Sequence, residues 1–156
     1  MAIDVEATKV RDEEPQRDPG LRQLNRLVGT WKVSGESEGE TTYEWMEGGH
    51  FLIQRGVVRR GGTRWTYLGV IGYERAPGRE RAEAITSRIY TSQGDTLDYT
   101  SEMDGNSLTI WFGEKGSPSV YHGKWSDDDS TLTGAWEWPG GGYAEVMTRV
   151  TQPLGR

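Results

Sequence analysis

The chain reads as an all-β protein: a ten-stranded antiparallel up-and-down barrel with a short N-terminal helix plugging one end. Three observations predict this. Leu, Ile, Val and Phe supply only 27 of the 156 residues, against 7 Trp, 7 Tyr and 22 Gly, so large aromatics and turns dominate. From Gly29 onward apolar residues alternate with polar ones at period two, and short Gly, Asp, Asn and Pro clusters interrupt them regularly. Ten consecutive antiparallel strands leave open edges unless the sheet closes, and an up-and-down barrel closes it with short connections.

The elements follow in order. Residues 1–18 are charged, lack periodicity and read as a flexible tail, and the domain is expected over 19–153. Asp18-Pro19-Gly20 looks like a helix start, with Asp18 as N-cap and Pro19 at the first helical position. Leu21, Leu24 and Leu27/Val28 then recur at helical spacing, and Gly29 can end the segment. Strands are expected at about 29–37, 41–46, 50–58, 63–73, 82–90, 96–103, 107–113, 118–126, 131–138 and 143–150. Alternation puts Trp31, Val33 and Gly35 on the inner face, with Leu97, Tyr99, Ser101 and Met103, and Leu132, Gly134, Trp136 and Trp138. In the third strand Phe51, Ile53 and Arg55 compete with Leu52 and Gln54, and Gly56 suggests a bulge. Alternate turns fall at opposite ends, so the helix end is closed and the turn near Arg59–Gly62 lies at the mouth.

Composition excludes whole classes. No apolar run is long enough for a transmembrane helix, and residues 1–20 lack the apolar centre of a signal peptide, so a cytoplasmic protein with no membrane partner is expected. The absence of Cys removes disulfides, thiol nucleophiles and thiolate metal sites. The net charge is −6, and the first twenty residues hold six acidic and three basic side chains, so half of it lies in the tail. A weakly acidic domain offers nucleic acid no basic surface.

The candidate site residues lie on the inner faces. Tyr43, Trp45, Tyr67, Tyr99 and Trp136 present rings with polar edges, suited to a flat or apolar ligand and equally to core filling. Arg55, Arg59, Arg60 and Arg64 flank the hairpin tip at the mouth and could draw an acidic group or simply guard the edge. An inward Arg55 needs a buried partner, for which Glu145 or Tyr99 is available. His122 sits mid-strand; with Glu145 and Tyr99 it is a candidate for acid–base chemistry, and a surface histidine otherwise. His50 reads as a turn residue, and two distant histidines make no metal site. Asp127-Asp128-Asp129 lacks the spacing of a calcium loop, and Pro139–Gly142 suits a flap at the mouth rather than a phosphate cradle.

Gly29-Thr30-Trp31 after a leucine helix resembles the opening of lipocalin-like (calycin) barrels. Met46-Glu47-Gly48-Gly49-His50-Phe51-Leu52, Val70-Ile71-Gly72-Tyr73-Glu74 and Leu132-Thr133-Gly134-Ala135-Trp136-Glu137 are similar to small bacterial lipocalin-like domains without assigned function. The resemblance spans roughly residues 21–151 and rests on turn glycines and packing aromatics, which speak to fold. Nitrobindin-like haem barrels are more distant: Val33 replaces a glycine of their opening motif, and residues 143–156 hold no His for iron. That departure argues against haem, and no cofactor is expected. The functional expectation is a lipocalin-like barrel binding a small, mainly apolar molecule, with or without an acidic group. The alternatives are a cofactor-independent isomerase or cyclase in the same cavity, and a structural module with a filled barrel.

Overall fold

The computed structural model describes residues 16–150. Most of the expected tail, and the chain beyond 150, lie outside them. A 3-10 helix, Pro19–Leu27, leads into ten strands: β1 (Gly29–Gly35), β2 (Glu38–Trp45), β3 (Phe51–Arg60), β4 (Thr63–Tyr73), β5 (Ile85–Thr91), β6 (Thr96–Asp104), β7 (Ser107–Phe112), β8 (Val120–Trp125), β9 (Thr131–Trp138) and β10 (Gly141–Arg149). Each strand pairs antiparallel with its sequence neighbours, and β10 pairs with β1 to close the barrel.

The helix is tighter than the α form, and the leucine spacing explains it. Leu21, Leu24 and Leu27 stand three apart, and three residues per turn stack them on one face, where all are buried. The Asp18 carboxylate caps the start by accepting from the Gly20 N–H at 2.8 Å. At the other end Arg149, from β10, donates to the carbonyls of Arg26 (2.7 Å) and Val28 (2.6 Å). Arg26 reaches the turns of the same barrel end, donating to the Gly105 carbonyl and to Asn106. Trp31 is fully buried there; its indole N–H donates to the Leu27 carbonyl at 2.8 Å and its ring lies 5.7 Å from that of Trp125.

Three local expectations are corrected. β2 starts at Glu38 because Gly39 is a strand residue: it pairs with Val58, and a side chain there would strike the Val57 carbonyl. Gly56 is no bulge, since it pairs in regular register with Thr41 on one side and Tyr67 on the other. The expected flap at 139–142 is a two-residue turn; Gly141 and Gly142 pair with Trp138 and Glu137, and only Gly140 needs its positive φ of 89°.

Candidate functional site

The register fixes which side chains face inward. In β3 these are Leu52, Gln54, Val58 and Arg60, because Leu52 is fully buried and the alternation runs from it. Tyr43 (β2), Tyr67 (β4), Tyr99 (β6), Tyr121 (β8), Trp136 (β9), Tyr143 and Glu145 (β10) converge from other strands. Together they line an internal cavity of about 300 Å³, with Leu24 and Leu27 of the helix also on its wall. That volume is at the lower end of pockets that hold small molecules.

Three glycines, Gly56, Gly123 and Gly134, are covered by tyrosine rings. A Cβ at Gly56 would lie 2.5 Å from the Tyr67 ring, and one at Gly134 would lie 2.5 Å from that of Tyr121. The glycines thus let rings lie flat on the barrel wall, and the remaining space is bounded by aromatic surface. Tyr99 and Tyr121 each have ring centroids 5.7 Å from Trp136, which makes one continuous aromatic wall.

Half of the lining residues carry a polar group, most of them a hydroxyl. The Gln54 side-chain amide donates to the Tyr43 hydroxyl at 3.0 Å. Five of the seven tyrosines line the cavity, and burial raises the pKa of each, so they stay neutral phenols able to donate. Burial also raises the Glu145 carboxyl above its ordinary value, with Arg60 pulling it part of the way back. In the ladder Glu145 lies between Gly35 of β1 and Gly134 of β9, so neither flanking strand sets a side chain directly beside it. The Arg60 guanidinium lies 4.1 Å over the Tyr143 ring at the mouth. Trp138, expected inward, stands 39% exposed at the β9 end and packs on Tyr143 at 5.9 Å.

Of the sequence-based candidates, Tyr43, Tyr67, Tyr99, Trp136 and Glu145 line the cavity. Three do not. Arg55 points outward, 62% exposed and paired with Glu44 at 3.1 Å, because Leu52 and Gln54 hold the inner positions of β3. His122 is exposed on β8, where Tyr121, Gly123 and Trp125 take the buried parity. Trp45 packs at the helix end, donating its indole N–H to Asn25 at 2.8 Å.

Sequence reasoning missed Gln54, Tyr121 and Tyr143 as lining residues and placed Arg60 only in the tip cluster. The Tyr121-x-Gly123-x-Trp125 alternation was the signal for Tyr121. Among the described residues no three His, Cys, Asp or Glu side chains come together to hold a metal ion, and no helix is long and apolar enough to cross a membrane. No protein-family model matches this chain, and no curated protein matches it.

Proposed function

We propose that this protein is a lipocalin-like barrel, of the calycin kind, that binds one small, mainly apolar molecule in its interior. The observation that carries this reading is the cavity of about 300 Å³, its surface mostly apolar from tyrosine and tryptophan rings and aliphatic side chains, with hydroxyl groups set among them. The helix acts as the stopper of one end, its buried leucines toward the interior, and Arg60 stands at the entrance. Small-molecule binding needs no metal or haem here, and the protein works in the cytoplasm.

The filled-barrel alternative is disfavoured by the cavity itself. The isomerase or cyclase alternative loses His122, which is exposed on the outer face, and rests on Glu145 with tyrosine donors beside it. A bound acid is the less favoured ligand, because Arg55 lies outside, Glu145 lies inside, and Arg60 meets the cavity only at its exposed mouth. Native mass spectrometry of the purified full chain tests the binding role. A retained small molecule, released on denaturation, is expected; a protein that neither retains one nor takes up any apolar probe ends this reading.

A further inference from the structure

Among the described residues lining the cavity, only Arg60 and Glu145 bear groups that ordinarily carry a charge at neutral pH. Their situations differ. Arg60 is exposed, and its guanidinium already rests on the Tyr143 ring. Glu145 is half-buried, and among the described residues its carboxyl makes no ion pair and accepts no hydrogen bond. Carboxylates taken out of water are normally paired, since an unpaired one is costly. A ligand that fills the cavity displaces the water that still reaches this carboxyl, and the group that then suits Glu145 is a cation or a strong donor.

The surroundings favour a cation. Tyr43, Tyr67, Tyr121 and Tyr143 line the same cavity as Glu145, and ring faces attract cations through their quadrupoles. A carboxylate among such rings presents two attractions for an ammonium group, whereas the one cationic side chain of the lining, Arg60, stands at the mouth on the Tyr143 ring. We propose that the cavity takes an apolar molecule bearing one protonated amine, its ammonium group seated against the Glu145 carboxylate among these rings. This inference rests on the binding role above and names the ligand's head group. An amine arriving neutral takes the Glu145 proton, and one arriving protonated meets the carboxylate; both routes give the same ion pair with no other reactant.

Three probes sharing one skeleton test it: 4-phenylbutylamine, 4-phenylbutanol and 4-phenylbutyrate, titrated calorimetrically into the full chain at neutral pH. The amine is expected to bind at least about tenfold more tightly than the alcohol, as one charge-assisted contact provides, with the carboxylate weakest. In E145Q the ratio of amine to alcohol affinity is expected to fall to about one. If E145Q does not fold, E145D withdraws the carboxylate by one methylene and should shrink the same ratio. Wild-type protein that binds amine and alcohol equally, or prefers the carboxylate, overturns the head-group proposal and leaves the binding role standing. So does an E145Q variant that keeps the amine preference. If none of the three binds the wild type, both fall together.

Discussion

A carboxyl group prefers water, and the barrel takes Glu145 partly out of it. Burial raises its pKa above the ordinary 4.5, and Arg60 opposes that rise. Between the ordinary and the raised value the folded chain holds a proton that the unfolded chain has released. Stability therefore falls as pH rises through that window and stays lower above it. Urea unfolding should find Glu145→Gln more stable than the wild type at pH 7, with the gap closing near pH 4. A wild type that is the more stable at pH 7 would show that Glu145 has a partner inside the protein. Asp128 carries the opposite sign. Hydrogen bonds from Ser130 and then Ser126 pull it to about 2, so its contribution is present above the ordinary 3.8 and lost as pH falls toward 2. Proton titration by NMR should place the Asp128 carboxyl well below the ordinary 3.8, and a midpoint at or above 3.8 would contradict those hydrogen bonds. Glu145 was legible in the sequence, since alternation along β10 points it inward. Arg55 was not, because Gln54 and Arg55 are adjacent and both polar. Only the buried Leu52 and the outer partner Glu44 decide between them.

The elements were mostly written in the local pattern. All ten strands fall where alternation puts them, because a closed sheet with a solvated outer face imposes period two on nearly every strand. Strand ends were less legible where glycine serves close approach rather than a turn. Gly39 lies against the Val57 carbonyl, and Gly134 lies under the Tyr121 ring. Such roles depend on the neighbouring strand, which a linear pattern does not display. Gly134→Ala should therefore lower stability by about 1–3 kcal/mol, because its methyl would meet the His122 carbonyl and the Tyr121 ring, each at 2.5 Å. Differential scanning calorimetry reads that loss, and an unchanged melting temperature would mean that Tyr121 moves aside freely. The helix was expected from its leucines, and its 3-10 form follows from their spacing of three. Leu24→Ala should cost about 2–5 kcal/mol in urea unfolding, since it empties a buried site bordering the cavity. A loss below 1 kcal/mol, where surface changes usually fall, would mean the helix adds little to the core.

For the molecule as a whole, scarce aliphatics and abundant Trp and Tyr have a spatial meaning. At the helix end the rings pack as core, as Trp31 and Trp125 do. Toward the mouth, tyrosines lie over glycines and border open volume. The composition foretold the aromatic interior; it could not tell packed from open, because that depends on how ten inner faces meet. The ion pairs Arg55–Glu44 and Arg88–Asp98 link exposed side chains, which leaves Glu145 the one acidic side chain among the cavity's lining residues. The direct test of a binding cavity is a calorimetric titration of 4-phenylbutanol into the full chain and into two folded variants, Ser101→Trp and His122→Ala. Ser101→Trp fills the cavity from β6, whereas His122→Ala alters only the outer face. Saturable one-to-one binding is expected for the wild type and His122→Ala, with loss in Ser101→Trp. Equal binding by Ser101→Trp, or none by the wild type, would mean that the barrel interior is not a ligand site.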